Sequence, residues 1–584
     1  MRKKTLAARR LTPIFLASAL VLLAQPASGG SPSPATSMPP GAIAYVEVSG
    51  LRPVIDRFQN SDYLKLLLAS QPYQDFRETP QFRQAEAGRK ILETQLGMDL
   101  WTAGRKLLGG QLALAIYPKP SGDRPDVVAI VRGADPKALA ILRQRIQPWV
   151  ELAGEKIKTT KTGEGVELIE VSGKAYVALH ETWVAASNNQ SLLDKTLALL
   201  SGKAKESLAG EKSFSLTAKK MGGEHLVRAY VNTGALAAMT GGRLGFPKKS
   251  DNPLASLALG GILELIAHSP WAGFTLDVEE QQFVLTAAVE GNSRKLGPSF
   301  APFFLSGSPE AGAPALVQPP RLIGGLTIHR DFPEWYRRRE ELLQPQLLPD
   351  FDKFETGLAN LLPGSDFEED VLPLIGKNFT FVAAAQNYDH LDGEPGVKLP
   401  GFALIVELAK PREGEQLFKL FFQTLSGVLN LQAGQQGRQP WVLETEIYKD
   451  VPITLGRYLK KPMGKRLPLS FNFIPASARV DNQFIISSSV GLCRGLIDEL
   501  SNQESKKRVN KNFDFQLHFE PLVGLLRENQ DFFQAQRIQE GRTPDEAKQD
   551  VTTILELLQY FKELELSTSE ADGVFKAQFR GSWR

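Results

Sequence analysis

Two alternating runs, Leu564-Glu-Leu-Ser-Thr568 and Val574-Phe-Lys-Ala-Gln-Phe579, stand on either side of the dipeptide Asp572-Gly573. Alternation of apolar and polar residues with period two predicts half-buried β-strands, and Asp-Gly between two such runs is a strong signal for a tight hairpin turn. The first half of the chain contains a similar pair of runs, Gly273–Val278 and Phe283–Ala287. Both halves are therefore predicted to close with an antiparallel hairpin.

Other landmarks of the chain also occur twice and in the same order. Each half opens with a strand that leads into a helix, continues with a glycine before a strand and a proline that opens a helix, and then has a short strand ending in serine. The paired sequences are Gly41–Val48 with Leu322–Ile328, Leu107–Ala115 with Leu374–Val382, Asp126–Val131 with Phe402–Leu408, and Trp183–Ser187 with Phe484–Ser488. We interpret this order as an internal duplication, with a period much longer than that of a solenoid repeat.

Strands that alternate with helices but end in hairpins predict an α+β fold: two tandem duplicated modules, each a largely antiparallel sheet with helices packed on one face. A stretch rich in Pro, Gly, Ala and Ser separates the modules and is typical of a linker. The predicted organisation is a signal peptide over 1–29, a disordered lead-in over 30–40, a first module over 41–296, a linker over 297–320 and a second module over 321–584.

The N-terminus has the three-part layout of a secretory signal. A positively charged stretch over 2–10 precedes an apolar run over 11–24, and small residues over 27–29 suit cleavage before Gly30. The apolar run is shorter than the ~20 residues that a spanning helix needs, so a cleaved signal is favoured over an uncleaved anchor. We therefore expect an exported protein of the periplasm, the cell envelope or the extracellular space, with no transmembrane span in the mature chain.

The opening strand Ala42-Ile-Ala-Tyr-Val-Glu-Val48 and the strand Trp183-Val-Ala-Ala-Ser187 carry a resemblance to a family of exported bacterial proteins. That family is grouped only as a domain of unknown function with periplasmic α+β modules, and a strand of the pattern Ala-x-x-Tyr-Val-x-Val stands near its mature N-terminus. The resemblance implies the same exported α+β architecture over most of the mature chain. It implies no activity, cofactor or site residue.

Composition is that of an ordinary globular chain of 584 residues, with 42% hydrophobic and 23% charged residues and enough length for several domains. The formal net charge of +3 gives no reason to expect a nucleic-acid partner, which usually shows as a clustered basic excess. Cys493 is the single cysteine, so no intramolecular disulfide can form. Its apolar neighbours recur at helical spacing, which predicts a buried packing thiol rather than a nucleophile.

Short motifs for catalysis or metal binding are missing from the sequence. No Gly-x-Ser-x-Gly elbow, phosphate-binding Gly-x-x-x-x-Gly-Lys-Ser/Thr loop or Gly-x-Gly-x-x-Gly fingerprint occurs, and the six histidines are far apart. The acidic stretch Asp366–Asp370 precedes a helix-like segment, where carboxylates complement the helix dipole. The acidic loop Asp389–Glu394 lacks the spacing of a calcium-binding EF-hand. We predict no catalytic residue, no metal site and no cofactor.

A basic stretch in the second half is the candidate binding site. Its ten residues from Arg457 to Arg466 contain five cations, and the first half has no counterpart. The five are Arg457, Lys460, Lys461, Lys465 and Arg466. In an envelope protein such a patch could contact an anionic lipid or an acidic glycan. A solvated loop without a partner is the alternative.

The expected function is that of an exported envelope protein of unknown biochemical role. We expect a non-catalytic binding, structural or scaffold protein whose partner is an envelope protein, an anionic lipid or a glycan. Two alternatives stay open: an envelope hydrolase with its site between the two modules, and a periplasmic holder of apolar cargo on an exposed sheet face. A large exposed apolar patch would favour a binder, and an apolar groove would favour the cargo holder.

Overall fold

The computed structural model of the protein describes residues 33–584 except for 108–109, 120–124, 133–134, 139, 142–143, 145–155, 162–164, 240–248, 294–295, 306–311, 390, 438–439, 459–463 and 503–507. The chain forms two compact units. The first contains the described residues of Met1–Leu244 together with Ser269–Glu290 and Arg580–Arg584, and the second contains those of Gly245–His268 and Gly291–Phe579. These bounds differ from the predicted modules in the segment before Ser269 and at the C-terminus.

The first unit is built on an antiparallel sheet. Its strands in the described residues are β1 (Ala44–Ser49), β2 (Gln111–Tyr117), β3 (Asp126–Arg132), β4 (Ile157–Lys161), β5 (Glu167–Val171), β6 (Ala175–Leu179), β7 (Trp183–Ser187), β8 (Val227–Val231), β9 (Ala272–Val278) and β10 (Gln282–Glu290). Their pairings give the spatial order β4-β5-β6-β7-β3-β2-β1-β8-β9-β10. Its helices are α1 (Leu51–Gln59), α2 (Asp62–Ala69), α3 (Gln71–Arg77), α4 (Pro80–Leu96), α5 (Leu100–Leu107), α6 (Gln190–Leu200), α7 (Lys212–Met221) and α8 (Thr233–Met239).

The second unit has a sheet of the same kind. Its strands are β11 (Leu322–His329), β12 (Ile375–Ala384), β13 (Glu394–Pro395), β14 (Gly401–Leu408), β15 (Trp441–Tyr448), β16 (Val451–Tyr458), β17 (Arg466–Leu467), β18 (Ala476–Val480), β19 (Gln483–Ser487), β20 (Phe513–His518), β21 (Phe561–Ala571) and β22 (Val574–Trp583). Its helices are α9 (Pro253–His268), α10 (Phe332–Arg337), α11 (Arg339–Leu342), α12 (Leu348–Leu361), α13 (Pro411–Gln435), α14 (Val490–Ser501), α15 (Phe519–Glu528), α16 (Gln530–Gln539) and α17 (Pro544–Gln559).

The two sheets share one strand order. In the second unit the antiparallel order is β15-β16-β18-β19-β14-β12-β11-β20-β21-β22, and β13 and β17 form a separate short parallel pair. Without that short pair, the strands correspond one to one with β4-β5-β6-β7-β3-β2-β1-β8-β9-β10. The predicted α+β class with a largely antiparallel sheet is confirmed in both units.

Local signals in the sequence account for several element boundaries. The Asp572-Gly573 dipeptide has positive φ at both residues, as a tight hairpin turn of this kind requires. Helix α13 begins at Pro411, where the missing N–H has no helical acceptor to lose. Asp135 accepts hydrogen bonds from the main-chain N–H groups of Lys137 (2.8 Å) and Ala138 (3.3 Å), as expected of an N-cap.

The segment Ser33–Pro40 is ordered and packed, so the prediction of a disordered lead-in is wrong for these residues. The side chain of Met38 is fully buried, and its carbonyl accepts a hydrogen bond from the N–H of Leu208. Ser33 donates its hydroxyl proton to the Glu47 carboxylate at 2.6 Å, and the Tyr117 hydroxyl donates to the Pro39 carbonyl at 2.8 Å. Residues Pro34–Ser37 form a short 3₁₀ helix that begins with a proline, and the buried side chain of Met38 contributes to core packing.

Part of the predicted linker is likewise packed. Residues 298–303 form a 3₁₀ helix, Ala313 is buried, and Leu316 and Val317 pack against the sheet of the second unit. The two packed segments have similar sequences, Pro34-Ala-Thr-Ser-Met-Pro-Pro40 and Pro314-Ala-Leu-Val-Gln-Pro-Pro320, and each directly precedes the first strand of its sheet. The Pro-Ala…Pro-Pro repeat therefore marks a structural element rather than a flexible connection.

A buried arginine joins α9 to the rest of the second unit through hydrogen bonds. Arg330 is 2% exposed and donates hydrogen bonds to the carbonyls of Leu257 (3.0 Å) and Ala258 (2.9 Å) in α9, and to that of Phe303 (3.3 Å). Burial lowers the pKa of its guanidinium to about 10. Gly261 of the same helix packs directly on the Phe303 ring. These contacts explain why α9 belongs to the second unit although it precedes the predicted linker.

Met38→Ala is expected to lower the free energy of unfolding by about 2–5 kcal/mol, because it leaves a cavity in a site that is closed to water. Thr36→Ala is the matched control in the same segment, since Thr36 is exposed, and should change stability by less than about 0.5 kcal/mol. Urea unfolding followed by circular dichroism measures both. If the two variants unfold like the parent protein, Ser33–Pro40 does not pack in solution.

Gly261→Ala is expected to cost about 1–3 kcal/mol, because overpacking strains a filled core. The added Cβ would lie 2.6 Å from Cγ of Phe303. Gly427→Ala in α13 is the control, since a Cβ there meets no atom within 4 Å. That substitution should stabilise by about 0.4–1 kcal/mol through the unfolded state. Thermal or urea unfolding would contradict the packing of α9 if the two variants shifted stability in the same direction.

Candidate functional site

One face of the second unit's sheet is closed. Val382, Ile405 and Ile485 lie on it with almost no exposure, in one apolar cluster with residues of α14 and with Leu316 and Val317 of the preceding segment. We call this side the closed face.

Cys493 of α14 belongs to the closed-face core. The side chain is fully buried, and burial raises the pKa of its thiol to about 12. A thiol is nucleophilic only as the thiolate, so Cys493 is a neutral packing residue at neutral pH. The predicted packing role is confirmed.

The opposite face has a continuous apolar row across six neighbouring strands. Leu326 of β11 pairs with Phe381 of β12 on one side and with Phe515 of β20 on the other, and the row continues outward in both directions. From β19 to β21 it consists of Ile486, Leu404, Phe381, Leu326, Phe515 and Leu566. We call these six residues, with Phe402 next to them on β14, the apolar strip. Five strand spacings of about 4.8 Å give it a length of about 24 Å.

The apolar strip is open to solvent. Phe381 is 44% exposed, Phe402 and Leu404 are each 39% exposed, and Leu566 is 36% exposed. The rings of Phe381 and Phe402 stack with their centroids 6.1 Å apart. Single exposed apolar residues are common on protein surfaces, but contiguous ones on neighbouring strands typically mark a binding surface.

Among the described residues, helices cover this face at its borders and not over the strip. Leu517, on the same face of β20 as Phe515, packs with Leu522 and Leu525 of α15. At the other end, Phe332 of α10 lies 6.1 Å from the ring of Phe379. A third border is formed by α13, where Phe418 lies 5.4 Å from Phe484 of β19. The single helical layer expected from the sequence is thus joined by a second, partial layer that leaves the strip uncovered.

The exposure of the apolar strip differs from what the sequences of its strands predict. The run Phe402-Ala-Leu-Ile-Val406 is continuously apolar, a pattern that predicts a strand buried on both faces. Ala403 and Ile405 are buried as expected, whereas Phe402 and Leu404 are not. A continuous apolar run in a strand therefore does not show by itself whether Phe402 and Leu404 are covered.

The corresponding row of the first unit is built from smaller side chains. Along β7, β3, β2, β1, β8 and β9 it consists of Ala186, Ala129, Leu114, Val46, Ala229 and Phe274. Phe274 and, one strand further, Leu285 are both 41% exposed. The first unit thus has a row at the corresponding position of its sheet, but the side chains of that row are smaller.

Three of the five cations in the predicted basic patch, Arg457, Lys465 and Arg466, are among the described residues. Arg457 follows Leu455 at a spacing of two on β16, so it belongs to the closed-face side, where it pairs with Glu444 at 3.2 Å. Lys465 and Arg466 are exposed around β17, and Lys460 and Lys461 lie outside the described residues. The structure does not bring Arg457 to the apolar strip.

Metal-binding side chains do not cluster in the part of the chain that the structure describes. No group of three or more His, Cys, Asp or Glu side chains there is placed to hold a metal ion. Asp366 accepts a hydrogen bond from the N–H of Glu369 (2.8 Å) at the start of a helical turn, as expected for this acidic stretch. Among the described helices, none combines the length and apolarity required to cross a bilayer.

Comparison with known proteins gives no family. Neither a scan against models of protein families nor a search of curated proteins finds a match for this chain. Crystal form III of TP0453 aligns with 44% of this chain and 80% of its own, at 13% identity and a TM-score of 0.23. Crystal form I of TP0453 aligns with 45% and 81%, at 14% identity and the same TM-score. A TM-score this low supports no argument about fold or function.

Neighbouring substitutions on β14 test the two-sided sheet. Leu404→Ala is expected to change the free energy of unfolding by less than about 1 kcal/mol, because its side chain already contacts water. Ile405→Ala removes a side chain that is 1% exposed and should cost about 2–5 kcal/mol. Urea unfolding of the two variants gives the comparison. Equal losses would mean that the strip is covered in solution.

Proposed function

We propose that this protein is an exported, non-catalytic binding protein of the cell envelope that holds the acyl chain of an amphiphile on the apolar strip of its second unit. The observation that supports it is the exposure of Phe381, Phe402 and Leu404 on neighbouring central strands. The N-terminal signal layout and the resemblance to exported proteins of unknown function support the proposed location in the cell envelope. The shared strand order supports an origin of the two units by internal duplication.

Backbone pairing favours an acyl chain over a peptide strand as the ligand. Each of β11, β12 and β14 is paired on both sides, so its main-chain N–H and C=O groups are already used. Only side chains are available on the face, and those of the strip are apolar. Strand addition, which relies on main-chain hydrogen bonds at a sheet edge, has no donor or acceptor here.

The dimensions of the strip also suit an acyl chain. Its length of about 24 Å exceeds the ~15 Å that one lipid chain spans in half of a bilayer core. Two stacked phenylalanine rings at its centre give a flat apolar surface, and burying apolar area contributes about 25 cal/mol per Å². Contact with several side chains of the strip would thus supply the affinity without a polar anchor.

Substituting both Phe381 and Leu404 by serine is expected to weaken palmitate binding by about tenfold or more, which corresponds to a loss of about 1.4 kcal/mol of apolar contact. Displacement of a fluorescent fatty acid from the purified protein measures the affinity. Ile538→Ser is the control, because Ile538 is 44% exposed on α16, outside the strip.

Unfolding curves of the double variant would show whether its fold is intact, and the exposed positions predict that it is. The proposal fails if the parent protein does not bind palmitate, or if the double variant binds it as tightly as Ile538→Ser does.

A further inference from the structure

Strand β15 forms an open edge of the second unit's sheet. Among the described strands, only β16 pairs with it. The two strands are joined by Lys449-Asp450, and both residues have positive φ (48° and 66°), as in a two-residue hairpin turn of type I′. The residues that flank such a turn, Tyr448 and Val451, form a hydrogen-bonded pair. Every second residue before Tyr448 is therefore also hydrogen-bonded to β16.

The main-chain groups of the alternate residues point away from β16 to the open edge. These residues are Trp441, Leu443, Thr445 and Ile447. Trp441 confirms the orientation, because its N–H donates to Oδ1 of Asn430 (3.0 Å) and its C=O accepts from Nδ2 of the same side chain (2.6 Å). Asn430 of α13 thus takes the place of a partner strand at Trp441. Within the described part of the chain, the N–H and C=O groups of the other three residues have no partner.

The side chains of β15 do not protect this edge. Proteins usually block an outer strand with lysine, with proline or with a bulge. The outer strand of the first unit, β4, carries Lys158 and Lys161. Strand β15 has neither lysine nor proline, and Ile447 and Val442 on it are 66% and 43% exposed. An unprotected edge with apolar side chains is a surface for pairing with another extended chain.

The spacing of the free groups suits a second copy of this chain. Leu443 and Ile447 are placed symmetrically on either side of Thr445, so two antiparallel β15 strands with a twofold axis at Thr445 use all three residues. In that register Leu443 lies opposite Ile447 of the second copy, and the two copies of Thr445 lie opposite each other. Each of these pairs exchanges two N–H···O bonds. Asn430 limits the pairing at one end and the hairpin turn limits it at the other.

The side chains in this register are compatible on both faces. On one face the apolar pair of Leu443 and Ile447 flanks a pair of threonines, and both are kinds of pair that stabilise neighbouring strands. On the other face Val442 lies opposite Tyr448 of the second copy, which is a further pairing of a β-branched with an aromatic side chain. The strand is therefore complementary to itself at its apolar positions.

The acidic residues of β15 are already paired within their own copy. Glu444 of one copy lies opposite Glu446 of the other, and like charges in that position destabilise a strand pair. Arg457 contacts Glu444 at 3.2 Å, and Arg494 contacts Glu446 at 2.6 Å. Each carboxylate thus carries its own guanidinium, and this arrangement offsets the repulsion across the interface.

We propose that this protein forms a twofold-symmetric dimer in which the β15 strands of two copies pair antiparallel through Leu443, Thr445 and Ile447. The dimer joins the second-unit sheets of the two copies into one continuous sheet. The interface is at the outer edge of the sheet, and it does not depend on acyl-chain binding to the apolar strip.

Thr445→Pro removes the central N–H of the interface and places a ring in the path of the second strand. The fold tolerates it, because this N–H is not bonded to β16 and proline is accepted at such positions of edge strands. Sedimentation velocity of the full-length purified protein should give a mass that rises with concentration from 64.2 kDa towards twice that value. The variant should dimerise at least about tenfold more weakly, and its unfolding curve should match that of the parent protein.

Thr159→Pro in β4 is the matched control. Ser172 donates its N–H to the carbonyl of Lys156 at 2.8 Å, so alternate residues from Lys156 are bonded to β5 and the N–H of Thr159 points to the outer edge. This variant should dimerise like the parent protein. A parent protein that stays monomeric at every concentration would overturn the proposal. So would a dimer that persists in Thr445→Pro, or one that Thr159→Pro weakens to the same extent.

A cysteine at the twofold axis tests the register. The Cα atoms of a hydrogen-bonded antiparallel pair are about 5.5 Å apart, within the range that a disulfide spans, so Thr445→Cys should give a covalent dimer on mild oxidation. Ile447→Cys is the control, because four residues of strand separate its two copies by about 13 Å. The native Cys493 is buried and does not contribute. A covalent dimer of Ile447→Cys but not of Thr445→Cys would overturn the proposed pairing.

Discussion

Antiparallel pairing among β11, β12 and β14 fixes which side chains of the second unit share a face. Successive residues of a strand point to opposite sides, so the pairing that places Ile405 in the core also places Leu404 in water. A slip by one residue would exchange the two sets. The closed face and the packing of Val317 against it both require the observed register. The apolar strip is the other consequence of the same pairing.

The closed face contributes to stability, whereas the strip on the opposite face is the surface proposed for binding. The segment before β11 and helix α14 remove the closed face from water, and burial of this kind is the main favourable contribution to folding. Phe381, Phe402 and Leu404 contribute less to folding because they remain partly hydrated. Polar residues at these positions would satisfy the fold equally well, since alternating polar residues are the usual outer face of an antiparallel sheet. Their apolar character is therefore better explained by contact with a ligand than by folding.

Sequence patterns predicted the turns and helix starts of this protein better than they predicted which segments pack against distant residues. The Asp572-Gly573 turn, the proline that opens a helix at Pro411 and the burial of Cys493 all depend on local chemistry, and the structure confirms them. Packing of Ser33–Pro40 depends instead on distant partners such as Leu208 and Tyr117, which composition does not reveal. The proline content suggested disorder, although the Pro-Ala…Pro-Pro repeat before each first strand was a visible signal of a shared role.

The exposure of the apolar strip could not be predicted from the sequence, for a related reason. A continuous apolar run identifies residues that prefer to leave water, but whether a helix lies over them is decided by the tertiary structure. Of the cations in the basic stretch, Arg457 lies on the closed-face side of β16 and not at the strip. Recognition on the strip would then depend on apolar area rather than on head-group charge. Each methylene group buried contributes about 0.8 kcal/mol, so chain length would be the property of an amphiphile that this surface distinguishes best.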